Sequence, residues 1–189
     1  RLVFREELQL EIDPKTIDGD GLLELASRSF QEPVRMAAQP AALGTIFWHD
    51  ENDFMAPVAS GSCLTDGMVI CPCSSSTLGK VAHGTGGNLI HRVADVHLKE
   101  RRRLVLMPRE TPLSLVMLKN MQEAAAAGAV ILPAMPGWYH GVESVLDLID
   151  FIVARILDQL EIENQLMRRW GKQQKYDETI ATSSGDDPV

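Results

Sequence analysis

The stretch His91 to Glu110, HRVADVHLKERRRLVLMPRE, gathers Arg92, Lys99, Arg101, Arg102, Arg103 and Arg109 in a chain whose net charge is −8. Cations concentrated at one place in an acidic protein suit an anionic small molecule. A nucleic-acid surface would need a broad basic face instead. Inside the stretch, the apolar run Leu104–Met107 stops at Pro108 and reads as a buried parallel strand. Arg109 and Glu110 then fall just past a strand's carboxyl end, the edge at which open α/β sheets take ligands. Arg92 and Lys99 are two helical turns apart and lie near one face of the preceding helix. That face is either a solvated basic surface or part of the anion site.

Three further places carry chemistry. Ser74, Ser75, Ser76 and Thr77 stand between an apolar run and a helix. Hydroxyls and free N–H groups at a helix N-terminus hold phosphate well, and the same residue types also serve as ordinary caps. The loop Ala134–Val142, AMPGWYHGV, follows another apolar run and is expected to expose Trp138, Tyr139 and His140. Binding residues concentrate on such loops, although Tyr139 could equally plug the core. Arg155 interrupts an apolar helical stripe, and with Asp158 nearby its spacing favours a surface arginine. The cluster Gly84–Gly87 is weak evidence for a nucleotide, since any tight turn can use it.

The elements that must position these residues follow from periodicity. Met68–Cys71 reads as a strand ended by Pro72, Leu104–Met107 as a second, and Ala129–Leu132 as a third, stopped by Pro133. Helices are expected after Ser74 to about His83, over Asn88–Lys99, from a Thr111 cap with Pro112 at the first position to Gly128, and from a Ser144–Asp147 capping pair onward. Leu89, Ile90, Val93, Ala94 and Leu98 mark the buried side of the second helix, and Leu113, Val116, Met117 and Met121 that of the third. Ala59–Ser62 is a small-residue loop, Gly44–Trp48 a possible strand, His49–Phe54 a loop, Gly21–Ser29 a short helix, and Arg1–Leu10 the end of a helix. Strands alternating with helices give a parallel sheet with helices on both faces. Residues 1–171 are expected to form one domain, with 172–189 a loose polar tail.

Composition narrows the classes. The chain has 189 residues, room for one domain with a real core. Cys63, Cys71 and Cys73 show no metal-type spacing and suit a reducing cytoplasm. No apolar run is long enough to cross a bilayer, and the acidic balance disfavours an anionic membrane surface. Walker, zinc and GxSxG signatures are all absent from the sequence.

The segments NDFMAPVASGS, GMVICPCSSSTL, NLIHRVADVHLKERRRLVLMPRETPLSL, GAVILPAMPGWYHGVESVLDLIDFIVARILDQLEI and RRWG together resemble the UbiX flavin prenyltransferases, formerly called aromatic-acid decarboxylases. The resemblance runs from about Glu51 to Gly171. It implies a three-layer, flavodoxin-like Rossmannoid α/β fold, assembly as a homo-oligomeric dodecamer, FMN, and no metal. It implies transfer of a dimethylallyl group from dimethylallyl phosphate to N5 and C6 of reduced FMN. The prenylated FMN would serve a UbiD-type decarboxylase. By the same resemblance, Ser60, Gly61 and Ser62 correspond to the loop near flavin and prenyl group, Ser74–Thr77 to the hydroxyl loop on FMN, and Arg109 to an arginine also touching flavin. Lys99, Tyr139 and Arg155 correspond to prenyl-phosphate ligands, with Arg92 beside them. Glu110 corresponds to the acidic partner in phosphate departure, Trp170 to an aromatic closing over the site, and Glu7 to an early glutamate.

The family opens on a strand and a glycine-rich GASGA turn, and the sequence shows no such segment. The first strand, helix and strand are therefore expected to be missing upstream. Two other readings remain open from sequence: an FMN-dependent cysteine decarboxylase of the same fold, and a non-catalytic FMN-binding carrier.

Overall fold

A parallel sheet carries the described part of the chain, residues 45–169 of a computed structural model. Strands β1 (Gly67–Cys73), β2 (Arg103–Pro108) and β3 (Val130–Ile131) lie side by side in that order. Helices α1 (Ser75–His83) and α2 (Leu89–Lys99) link β1 to β2, α3 (Leu115–Ala126) links β2 to β3, and α4 (Val145–Gln159) follows. Each of these helices starts where a side chain can close it. Ser74, Asn88, Ser114 and Ser144 accept from the backbone N–H groups of Thr77, His91, Met117 and Asp147. A cap of this type contributes typically ~1 kcal/mol.

Register decides what each sheet face meets. Met68 pairs with Leu104 and Ile70 with Leu106. These positions point to one side, because strand side chains alternate. There Ile70, Leu104 and Leu106 join Leu78 and Val81 of α1, Ala94 of α2, and Met117 and Ala124 of α3 in one core. Leu78, Leu104 and Leu106 are fully buried. Gly67 and Arg103 pair on the other side. A Cβ at Gly67 would lie 2.6 Å from Leu160 Cδ2, so the end of α4 sits against that second face. An Arg103–Glu161 ion pair lies at the same corner. Helices thus cover both faces, with α2 on one and α4 on the other.

Several expectations are corrected. β1 runs through Pro72 to Cys73, with an irregular register between Ile70 and Cys73. A proline donates no ladder bond and is tolerated at such a break. Helix α3 is capped by Ser114 rather than Thr111, because it is the Ser114 hydroxyl that meets the Met117 N–H, at 3.2 Å. Pro112 lies in the turn before it. β3 is shorter than Ala129–Leu132, although Leu132 N–H still reaches Leu106 O at 2.9 Å. Ile90 and Val116 are exposed rather than core-facing. Each neighbours a buried residue, Leu89 or Met117, and one residue step turns it about 100° away. Residues 45–48 form no strand. Glu7, Trp170, and the stretches expected to be N-terminal helices and a polar tail lie outside the described residues. No helix among the described residues is long and apolar enough to cross a membrane.

Candidate functional site

The residues singled out from sequence fall into three groups. The first sits where α2 ends, near the amino ends of the strands. Pro57–Ala59 forms a single 3-10 turn, and the loop that follows is held by basic side chains. Arg92 Nε donates to Ala59 O at 3.0 Å. Arg102 donates through Nη2 to Gly61 O at 2.5 Å and through Nη1 to Cys63 O at 2.7 Å. The Ser60 and Ser62 hydroxyls meet at 2.8 Å. Lys99 pairs with Glu100 directly against Gly61. A Cβ at Gly61 would stand 2.8 Å from Lys99 Nζ, so only glycine lets the backbone come this close without displacing the pair. The Lys99 hydrogen bond holds the Glu100 carboxyl below the usual carboxylate range. Ser60–Ser62, Arg92 and Lys99, far apart in sequence, therefore form one small surface.

Behind this surface lies His97, fully buried at the end of α2. Its Nδ1 faces Val93 O at 2.8 Å and so must carry the proton. That leaves Nε2 to accept from the Thr65 hydroxyl at 3.0 Å. Sequence reasoning assigned His97, Thr65 and Arg102 no individual role. The bonds that join Thr65 to His97 and Arg102 to the loop each span more than thirty residues, and no local pattern announces them.

The second group lies past the carboxyl ends of β1 and β2. Ser74 Oγ accepts from Thr77 N–H at 3.2 Å and meets Thr77 Oγ1 at 3.0 Å. Ser74 is thus a working cap, while Ser75 and Ser76 stay exposed in the first turn of α1. Arg109 and Glu110 are exposed and line a cleft of about 70 Å³ with Leu113, Met121 and Met135. Cys71 Sγ approaches Met107 Sδ at 3.5 Å. Burial pushes the Cys73 thiol up to about 11, which makes it a poor thiolate nucleophile.

The third group belongs to α4. Tyr139 packs edge-on against Phe151 at 5.8 Å between ring centroids and remains 55% exposed, so it is not a core plug. His140, expected to be exposed, is instead tied in. Its ring stacks on Phe151 at 5.2 Å and its Nε2 donates to Asp147 O at 3.1 Å. Arg155 behaves as its spacing suggested, paired with Asp158 at 2.7 Å. Asp158 also accepts two bonds from Arg169, at 2.6 and 2.7 Å, and one from Asn164 at 3.1 Å. The Arg169 bond is the main cause holding Asp158 below the ordinary carboxylate range. Phe151 and Arg155 are one helical turn apart, which puts Tyr139 and Arg155 along the same side of α4.

A larger cleft, about 190 Å³, opens between the end of α1 and the start of α2, bordered by Phe54, Lys80, His91, Arg92 and Asp95. His91 accepts from Gly87 N–H at 3.3 Å, and its pKa is lowered by burial first and by Lys80 second.

The first and third groups cannot form one site within a single chain by this placement. Lys99 lies beside α2 on one sheet face near the strands' amino ends. Tyr139 lies past their carboxyl ends, beside α4 on the opposite face. The six residues of β2 alone span about 20 Å between those edges.

A parallel sheet with cations and hydroxyls beyond its strand ends is suited to hold an anionic ligand. In agreement, a family model described as Flavoprotein matches residues 24–157. A flavin prenyltransferase UbiX of Halalkalibacterium halodurans is 45% identical over 171 residues, covering 90% of this chain and 75% of the relative. The flavin prenyltransferase UbiX of Pseudomonas aeruginosa is 57% identical over 133 residues, covering 70% of this chain and 64% of the relative. Among solved structures, AnUbiX (PadA1) in complex with FMN and dimethylallyl pyrophosphate superposes with a TM-score of 0.64 at 49% identity, over 67% of each chain. A dodecameric FMN-dependent UbiX-like decarboxylase from Escherichia coli O157:H7 superposes at 0.62 with 45% identity, over 65% of this chain and 66% of that one. The chain belongs to the UbiX flavin prenyltransferase family. It spans between about two thirds and three quarters of the length of these relatives.

Proposed function

We propose that the protein joins a dimethylallyl group, delivered as dimethylallyl phosphate, to reduced FMN. The observation that carries this reading is the surface made by Ser60–Ser62, Arg92 and Lys99. It sets two cations against a glycine-narrowed loop able to approach a flat ligand. The donor set fits FMN as the acceptor substrate. Ser75, Ser76 and the α1 N-terminus offer hydroxyls and a positive dipole end, and Arg109 adds a guanidinium on the neighbouring strand end. When bound, reduced FMN supplies the nucleophilic N5 and C6 positions.

The residues then have distinct tasks. Breaking the allylic C–O bond leaves its electron pair on the phosphate and an allyl cation behind. The C–O bond and the alkene π bond are replaced by one C–N bond at N5 and one C–C bond at C6. N5 and C6 each give up a proton, the alkene takes up one, and the single net proton leaves with the phosphate. Lys99, Arg92, Arg155 and the Tyr139 hydroxyl stabilise charge developing on the phosphate, an effect worth roughly 2.7–4 kcal/mol per well-placed donor. Glu110 hands a proton to the leaving phosphate. The Trp138–Tyr139 loop offers aromatic surface to the allyl cation.

Because Lys99 and Tyr139 lie on opposite faces of one chain, these donors converge only if neighbouring copies share the site. This supports a homo-oligomer, and the dodecameric relative makes twelve copies the natural candidate. The product would pass to a UbiD-type decarboxylase. Three free cysteines fit a cytoplasmic setting. The test is anaerobic incubation of the protein with reduced FMN and dimethylallyl phosphate or pyrophosphate, followed by mass analysis of the flavin. A flavin heavier by one prenyl unit supports transfer. Bound but unchanged FMN would reduce the protein to a carrier.

A further inference from the structure

Arg102 lies just beyond the end of α2, within the KERRR run that the transfer chemistry could claim entirely for anion binding. Its guanidinium is engaged elsewhere. Nη2 and Nη1 donate to the carbonyls of Gly61 and Cys63, and Nη1 also reaches Thr65 Oγ1 at 3.5 Å. Thr65 in turn donates to His97, whose tautomer is fixed by Val93 O. One planar fork thus bridges a carbonyl within the Ser60–Ser62 loop and the Cys63 carbonyl just after it, and a buried histidine anchors the next residue that the fork touches. A lysine at this position could not reproduce the pairing, because an ammonium is a compact point donor without a fixed fork.

The loop's remaining bonds are mostly local. Ser60 N–H donates to Pro57 O and Cys63 N–H to Ser60 O, both at 3.1 Å, the Ser60 and Ser62 hydroxyls meet, and the exposed Arg92 holds Ala59. Gly61 rests on the Lys99–Glu100 pair. Displacing the loop would therefore shift both the hydroxyls and the lysine that the proposed reaction uses.

We propose that Arg102 is a positioning residue that fixes the Ser60–Gly61–Ser62 loop against Lys99 through the Gly61 and Cys63 carbonyls, with Thr65 and His97 as its buried anchor. The catalytic consequence rests on the prenyl-transfer reading, but the structural one does not. The experiment uses the full chain and two variants, Arg102→Ala and Arg102→Lys. Hydrogen exchange followed by mass spectrometry reports on residues 59–66 against the strands β1 and β2. Steady-state transfer assays report kcat and KM.

In Arg102→Ala, exchange should rise in residues 59–66 and stay unchanged in the strands. The value of kcat should fall on the order of 10- to 100-fold, as expected for a displacement of about 1 Å at a reacting centre. Arg102→Lys should recover part of both, and added guanidinium ion should partly restore Arg102→Ala. Three results would overturn the proposal: unchanged exchange in the loop, equal loosening of loop and strands, or a full return of kcat and loop protection in Arg102→Lys. Should the wild-type chain transfer no prenyl group, the functional reading fails, yet the exchange measurement still decides whether Arg102 holds the loop.

Discussion

Gly61→Ala separates the close approach at the loop from the stability of the fold. The added Cβ would stand 2.8 Å from Lys99 Nζ and closer still to the Glu100 carboxylate. Ordinary contact begins near 3.4 Å, so the ammonium must retreat by about 0.6 Å and the Glu100 carboxylate by more, or the loop must lift far enough to clear both. Both obstructing groups are the ends of flexible, half-exposed side chains. An exposed pair of this kind contributes little to stability. The melting temperature should therefore drop by no more than roughly 2–4 °C for a chain of this size. Turnover should suffer far more. A misplacement of about 1 Å can cost 10²-fold, so a shift of this size should lower kcat between roughly 10- and 100-fold, the upper end being about 2.7 kcal/mol of barrier. Prenylated flavin is quantified by mass at saturating reduced FMN and dimethylallyl phosphate, with melting followed in parallel. Wild-type turnover at wild-type stability would refute the importance of the approach. A collapse in melting temperature would show that Gly61 serves the fold instead.

Other consequences can be checked as directly. In Glu100→Gln, Lys99 loses its competing carboxylate, and KM for the prenyl donor should fall by up to about fivefold; titration of turnover against donor concentration reads it. Asp158 is depressed in the folded protein, so its stabilisation is complete above its unfolded pKa of about 3.9 and is lost as pH falls through that value toward the folded one. Wild-type melting should then decline more steeply below about pH 4 than that of Asp158→Asn, which should already melt lower at neutral pH. Leu106→Ala empties a fully buried site at the centre of β2 and should cost about 2–5 kcal/mol by denaturant titration.

The elements legible in sequence were those with strong local signals. β2 was marked by its apolar run and closing proline, α2 by its apolar period, and α4 by its Ser144–Asp147 box, which forms as expected. The Arg155–Asp158 pairing was equally readable, being one turn apart on a helix. The start of α3 was not, because Thr111 and Ser114 are both good caps and only the folded geometry selects the one that reaches an N3 amide. Nor was the passage of β1 through Pro72, since the sequence cannot show that the register breaks there. His140 looked like part of an exposed aromatic loop, but its stacking on Phe151 depends on how that loop meets α4.

Within the candidate site, residue types and the family resemblance brought forward Ser60, Gly61, Ser62, Arg92 and Lys99, and the fold places them on one surface. The bonds that hold that surface, from Arg102 and from the Thr65–His97 pair, join residues distant in the chain and leave no periodic trace. The division of Lys99 and Tyr139, the proposed phosphate donors, between two sheet faces was also invisible, because it follows from strand direction and crossover rather than from any local pattern.

Complementation between two defective chains tests the shared site most directly. Lys99→Ala and Tyr139→Phe each remove one donor from opposite faces of the same chain. Each variant alone should be strongly impaired in making prenylated flavin. Dissociated, mixed and reassembled, they should regain activity, because some interfaces then pair an intact Lys99 with an intact Tyr139. If the mixture, shown by native mass spectrometry to contain hybrid oligomers, stays as inactive as the separate variants, the two residues do not meet across a subunit boundary and the account of the site is wrong.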